Sequence, residues 1–250
     1  MIVLKTSREL SAMRKAGVIS QKALRLAGSM VEPGVSTWEI DKEVRHYIES
    51  EGAVPSFLGY EGYPASTCIS VNDVVIHGIP QKGVILKRGD IVSIDVGACI
   101  GGFHGDNAWT FPCGEIAPSA QALLDATEQA LWKGIEQARP GNRVGDIGHA
   151  VQEYVETRSY SVVREFCGHG VGAKMHEDPS VPNYGKPGRG ARLAAGMVIA
   201  IEPMINLGHR EIEVKPDGWT VVTKDGSLSA HFEHTVAITP NGPVILTLPE

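Results

Sequence analysis

Apolar positions recur near the 3.6-residue period at Leu10, Met13, Gly17, Ile19, Leu24 and Ala27, which predicts a helix over 6–30. Thr6 with Glu9 three residues later supplies a capping box. Arg8, Arg14, Lys15, Lys22 and Arg25 form its polar side, read as a solvated face. Pro33-Gly34 ends this helix, and Ser36-x-x-Glu39 opens a second, with Ile40, Val44, Tyr47 and Ile48 on one side. Residues 54–86 read as short strands and loops. A buried strand is expected over 90–98 and a partner over 103–111. Helices return at 118–138 and 143–158. The last ninety residues predict strands at 162–168, 197–205, 211–215, 218–224 and 227–239, with Lys224-Asp225-Gly226 as a hairpin turn. Helices bunched between groups of strands point to an α+β fold.

The pattern repeats itself. Pro33-Gly34, Ile40, Val44 and Tyr47 recur 107 residues later as Pro140-Gly141, Ile147, Val151 and Tyr154. Leu86, Gly89 and Asp95 likewise match Leu193, Gly196 and Glu202. Two related halves, approximately 6–112 and 113–239, are therefore expected within one pseudo-twofold domain spanning 1–250. Each half delivers a carboxylate from a buried strand.

Composition narrows the function. The 250 residues carry a net charge of −6, which argues against broad binding to nucleic acid or anionic membranes. Four cysteines without a C-x-x-C pair are too sparse for a disulfide scaffold and fit a reducing cytoplasm. The first residues lack the apolar stretch of a signal peptide, and no apolar run reaches membrane-spanning length.

The chemistry lies in acidic residues embedded in apolar strands. Asp95 stands inside Ile-Val-Ser-Ile-Asp-Val, where an unpaired charge is costly. A hairpin turning at Ile100-Gly101 would set Asp106 directly opposite Asp95. Like charges so placed repel, and no lysine or arginine occurs between residues 89 and 132. Glu202 and Glu233 repeat the problem later in the chain. A divalent cation cluster resolves it, and four carboxylates balance two such ions. His169, within Cys-Gly-His-Gly-Val-Gly, His176 and His77 are further candidates. His46, His104, His149, His209 and His231 read as structural, and His234, beside Glu233, is open between a structural and a site role. Carboxylate-rich ligation with one imidazole suits manganese, iron or cobalt, and zinc less obviously.

These segments resemble the type I methionine aminopeptidases from about Lys5 to Thr239. The matching motifs are Gly-Tyr60-x-Gly-Tyr63-Pro, Ile76-His77-Gly78-Ile-Pro80, Asp90-Ile-Val-Ser-Ile-Asp95-Val, Gly102-Phe-His-Gly-Asp106, Gly168-His169-Gly-Val-Gly, Met175-His176-Glu-Asp-Pro179, Ile201-Glu202-Pro203-Met and Glu233-His234-Thr. The resemblance implies a pseudo-twofold pita-bread fold, a curved antiparallel sheet flanked by two helix pairs. It implies two divalent ions (cobalt, manganese, iron or zinc) on Asp95, Asp106, His169, Glu202 and Glu233. By the same resemblance, water shared by the metals attacks the carbonyl of an N-terminal methionine, with Glu202 as general base. His176 stabilises the oxyanion and His77 contacts the scissile nitrogen.

Tyr60, Tyr63, Cys68 and Trp219 match the family's methionine pocket. Phe57 stands where many members carry cysteine, and Met175 where many carry phenylalanine, changing the pocket's shape but not its apolar character. A sodium or potassium ion near Asn72, Val74 and Ser229 also follows from the resemblance. So do nascent polypeptide N-termini with a small second residue as substrates, and a monomeric state. Ribosome contact through the basic face of the first helix is a further expectation. Proline-specific peptidases of the same fold carry an additional N-terminal domain, for which 250 residues leave no room. Inactive binding proteins of the fold lose metal ligands, whereas all five positions here hold competent side chains.

Overall fold

The computed structural model describes residues 1–248. Helix α1 (Ser7–Ser29) starts where expected: Thr6 Oγ1 accepts from Glu9 N–H, and the Glu9 carboxylate accepts from Thr6 N–H at 2.7 Å. Helix α2 (Thr37–Ser50) is capped the same way by Ser36 and Glu39. The second pair is α3 (Pro118–Glu136) and α4 (Val144–Glu156).

The first half contributes strands β1 (Val54–Pro55), β2 (Thr67–Val71), β3 (Val74–Ile76), β4 (Ile91–Ile100) and β5 (Phe103–Pro112). The second contributes β6 (Ser161–Val162), β7 (Gly168–Gly170), β8 (Glu177–Val181), β9 (Val198–Ile201), β10 (Met204–Asn206), β11 (Ile212–Val214), β12 (Val221–Thr223), β13 (Ser229–His231), β14 (His234–Thr239) and β15 (Gly242–Ile245). All pairings are antiparallel. Strand β4 is flanked by β5 on one side and by β1 and β2 on the other. The largest sheet of the second half runs β15-β14-β9-β7-β8. Helices α1 and α2 close a core over β4 with Leu24, Ile40, Val44, Ile48 and Ile94, and α3 and α4 close another with Leu123, Leu131, Ile147, Val151 and Ile199.

The 107-residue repeat extends to individual hydrogen bonds. Gly34 N donates to Leu86 O, as Gly141 N does to Leu193 O; Leu86 N donates to Val35 O, as Leu193 N does to Asn142 O. The isolated bridge Ser36–Ile85 recurs as Arg143–Arg192.

Four details correct the expected strands. The strand expected over 162–168 survives only at its ends, in β6 and β7, and 163–167 lie outside any strand. The β4–β5 hairpin turns at Gly101-Gly102, pairing Asp95 with Ala108 and Asp106 with Gly97. A two-residue turn of this hand needs positive φ at both central positions. Gly101 and Gly102 adopt φ of 60° and 79°, a conformation costly for the β-branched Ile100. The register slips by two residues, so both aspartates stay on one face as diagonal neighbours.

The expected strands 197–205 and 227–239 are both interrupted, at Glu202-Pro203 and Phe232-Glu233. Pro203 has no N–H for a ladder. Met204 pairs with His231 and Ile201 with His234, a common register that sets Glu202 opposite Glu233 across the break. Finally, Lys224-Asp225-Gly226 turns the chain without closing a hairpin, because β12 pairs with β11 and β3 whereas β13 pairs with β10.

The two halves meet along β5 and β13–β14, where threonine side chains replace ladder bonds. Thr235 Oγ1 donates to Asp106 O at 2.7 Å and accepts from Asp106 N. Thr110 Oγ1 donates to His231 O at 2.8 Å and accepts from His231 N. Between them Glu233 N donates to Ala108 O at 2.9 Å.

Helix α1 reaches β5 through bare backbone. A Cβ on Gly105 would lie 2.4 Å from Gly17 N and 2.6 Å from Gly17 Cα. Gly105→Ala is therefore expected to destabilise the fold by about 1–3 kcal/mol. Denaturant unfolding checks this; an unchanged midpoint would mean that α1 is free to move off the sheet.

Candidate metal centre and substrate cavity

The seam carries the polar cluster. Asp106 and Glu233 project from β5 and from the residue before β14, Asp95 from β4, Glu202 from the break after β9, and His169 from the centre of β7. All five line one cavity of about 290 Å³. Ligand atoms of Asp106, His169 and Glu233 lie within 4.8 Å of one another. His169 Nε2 stands 3.5 Å from Glu202 Oε1 and 3.9 Å from Asp106 Oδ2. These gaps exceed a hydrogen bond. They suit side chains that share an ion rather than a proton.

The electrostatics agree. Burial, then the charges of Asp106 and Glu202, drive the Asp95 carboxyl well above its ordinary range. Burial does the same to Glu202 and Glu233, with Asp106 as the next cause in both, and pushes Asp106 up to about 7. Burial, then His176, pushes His169 down to about 3, keeping the imidazole neutral. Its Nδ1 lies 2.9 Å from Gly170 O, so the Nδ1–H donates there and the Nε2 lone pair faces the carboxylates. Buried Asp95 Oδ1, Asp106 Oδ1 and Glu233 Oε1 have no hydrogen-bond partner among the described residues. No lysine or arginine lines the cavity. A donor set of four carboxylates and one neutral imidazole, with orphaned oxygens turned inward, fits divalent cations.

The rest of the cavity is apolar and aromatic. Phe57, Tyr63, Cys68 and Met175 are buried together, with Tyr60 and Trp219 packed against them. Tyr63 and Trp219 meet edge to face at 5.1 Å. His176 lies over His169, ring centres 4.1 Å apart, with Nδ1 2.8 Å from Tyr60 Oη. His77 sits edge-on to Phe166 and Trp219, with burial as the first cause lowering it to about 4. Its positive φ of 57° marks a constrained backbone beside the cavity.

Thirteen side chains singled out in the sequence thus line one cavity. The structure adds two. Glu61 lines the same cavity. His231, read as structural, puts Nε2 3.8 Å from Glu202 Oε2 with no hydrogen-bond partner. The available signal was spacing: His231 and Glu233 are two residues apart on extended chain and share a face. Asn72, Val74 and Ser229 lie outside the cavity lining; Ser229 N donates to Asn72 O at 2.9 Å.

Residues 11–240 match metallopeptidase family M24. The chain belongs to that family. A methionine aminopeptidase of Clostridium perfringens is 55% identical over 248 residues, covering 99% of each chain. Methionine aminopeptidase 1 of Bacillus subtilis is 52% identical, also over 99% of each. The crystal structure of a Thermotoga maritima methionine aminopeptidase superimposes with a TM-score of 0.98, at 46% identity and full coverage of both chains. The Pyrococcus horikoshii prolidase, another structural neighbour, matches all of this M24 chain with a TM-score of 0.79 but only 65% of its own length, at 25% identity.

In this M24 chain the loop carrying His176 is tied down from the other end of the sequence. Lys5 Nζ donates to Glu177 Oε2 at 2.6 Å, the two side chains being only 3% and 10% exposed. Lys5→Met removes the countercharge of Glu177, whose other oxygen keeps the Lys174 N–H, and is expected to destabilise the fold by about 1–3 kcal/mol. Lys5→Met with Glu177→Gln should recover most of that, as read by thermal unfolding.

Stability of the metal-free protein should also depend on pH. The carboxylates hold protons in the folded state to higher pH than in the unfolded chain, so deprotonation removes stability as pH rises. The depressed histidines act oppositely, but their contribution is complete above about pH 6.5. Between about pH 6.5 and 8 the melting temperature of chelator-treated protein should fall, and added manganese should reverse the fall. A melting temperature that rises over this range would contradict the assignment.

Proposed function

We propose that this chain removes the N-terminal methionine from polypeptides whose second residue is small. The observation carrying this reading is the union of an aromatic pocket with a buried carboxylate–imidazole cluster in one cavity of about 290 Å³. Asp95, Asp106, His169, Glu202 and Glu233 would hold two divalent ions: cobalt, manganese, iron or zinc. When bound, such ions supply Lewis-acid polarisation of the scissile carbonyl and lower the pKa of water.

The side chains do the rest. Phe57, Tyr63, Cys68, Met175 and Trp219 take the thioether chain, whose unbranched, polarisable form suits aromatic walls. Tyr60 O–H donates to Nδ1 of neutral His176, leaving Nε2–H to donate to the oxyanion that develops on the carbonyl. Glu202, ionised when the site holds its cations, accepts the proton of the attacking water. Asn183 Nδ2 holds the Glu202 carbonyl at 2.9 Å and fixes that strand break. His77 meets the scissile nitrogen.

The repeat supports a single catalytic domain over 1–250. A sodium or potassium ion beside Asn72, Val74 and Ser229 would be structural. Nascent chains are the natural substrates of such a cytoplasmic monomer. Arg8, Lys15, Lys22 and Arg25 on α1 are exposed and suit transient ribosome contact, whereas Arg14 turns back to the Ile245 carbonyl at 2.7 Å. No helix among the described residues is long and apolar enough to cross a membrane.

The test is metal-dependent release of the first residue from Met-Ala-Ser and Leu-Ala-Ser peptides. Only the methionine peptide should be cut. Asp106→Asn should lose more than the about 10–100-fold typical of outer-shell changes. His176→Ala should lose about 10²–10³ in kcat. Cleavage of X-Pro peptides instead would move the chain to the proline-specific branch.

A further inference from the structure

The turn Tyr60–Gly62 that delivers Tyr60 to the cavity contains an anomaly. Gly59 and Gly62 adopt φ of 80° and 90°, which glycine tolerates. Between them Glu61 adopts φ 49° and ψ 22°, a left-handed conformation that a side chain bearing Cβ rarely takes. A third glycine would relieve it. Backbone held in such a region is a pointer to function rather than to packing. Glu61 buries nothing, being exposed to solvent, and makes no ion pair among the described residues. It nevertheless lines the cavity, close enough for its charge to act on His176 and Tyr60.

The charge of that cavity is unusual. Its lining contains five carboxylates and no lysine or arginine. Four of the five belong to the cluster that two divalent ions would neutralise. Glu61 is then the one negative charge left, and it is at the open side, beside the histidine assigned to the oxyanion. Glu61 is exposed at this cavity, where residues that follow the one in the aromatic pocket can meet it.

We infer that Glu61 is a specificity residue, selecting peptides with a lysine or arginine shortly after the small second residue and disfavouring acidic ones. The inference rests on the methionine-releasing reading above and names the substrate class within it. The attraction is that of a solvent-exposed pair. It is therefore worth about two- to fivefold in kcat/KM for lysine over a neutral residue. Acidic residues are disfavoured by a similar factor, so lysine over glutamate should reach about 4- to 25-fold at low ionic strength. It acts on capture of the peptide and leaves the chemical step alone, because Glu61 is not among the groups that meet the reacting atoms.

The experiment compares Met-Ala-Lys-amide, Met-Ala-Gln-amide and Met-Ala-Glu-amide on the manganese-loaded enzyme. The amides remove a terminal carboxylate that would mask the effect. Wild type should prefer lysine over glutamate through kcat/KM, and the preference should fade in about 1 M salt, where the Debye length is about 3 Å. Glu61→Gln keeps the shape and should bring the ratio close to one. Glu61→Lys should invert it. Glu61→Gly should also abolish it while raising the melting temperature, because the strained backbone is relieved. A wild-type ratio near one, or a ratio unchanged in Glu61→Gln, would overturn the inference. The neutral peptide separates the two levels. Its cleavage by every variant keeps the underlying reaction intact whatever the ratio does. Failure of the wild type to cut it would overturn that reaction and the inference with it.

Discussion

Four carboxylates crowded into one buried spot, without a cationic side chain among them, constrain everything else in this molecule. An unpaired buried charge costs more than most single interactions return. Asp95, Asp106, Glu202 and Glu233 lie within mutual influence, each pushed upward by burial. Such a group is tolerable only when the carboxyls keep their protons or when a bound cation supplies positive charge. The neutral His169, its lone pair turned inward by the bond to Gly170 O, is built for the same ion and not for an ion pair.

The backbone serves this cluster through departures from regularity. Glu202 and Glu233 stand where two strands break, opposite one another in a register that resumes beyond the gap. An unbroken ladder would alternate them between faces with their neighbours and fix their spacing. Across the seam, Thr110 and Thr235 bridge strands that do not pair directly, holding Asp106 and Glu233 on facing elements. Here local irregularity is the means by which ligands from distant segments converge.

Much of this was legible in the sequence, and the reasons differ by element. The four helices were plain because each carries an apolar stripe, and both helices of the first half open with a side-chain capping box. The carboxylates were plain because a charge inside an apolar strand demands an explanation. The hairpin register is harder to read, because the glycine pair that sets it lies one residue beyond the turn the pattern suggests and only positive φ distinguishes the two. The breaks within 197–205 and 227–239 are not legible, because apolar composition says where a strand is buried but not where its ladder fails. His231 was missed because a histidine shows its role only through its neighbours, and Glu202 is its neighbour in space rather than in sequence. Glu61 was missed because an acidic residue between two glycines reads as an ordinary solvent-facing turn.

The threonine-bridged seam has a thermodynamic consequence. Its two sides are cores built by separate helix pairs, joined by the threonine bridges, by the Glu233–Ala108 backbone bond and by a small cluster in which Met13 of α1 packs against Val198, Ala200 and Ala237. Any ion gripped jointly by Asp106 from one side and Glu233 from the other adds its binding free energy only while both sides are folded. Ligation of that kind would tighten the coupling between the two sides. The enzyme's reactive centre would then double as the rivet of its architecture, and local opening of either half would discharge it.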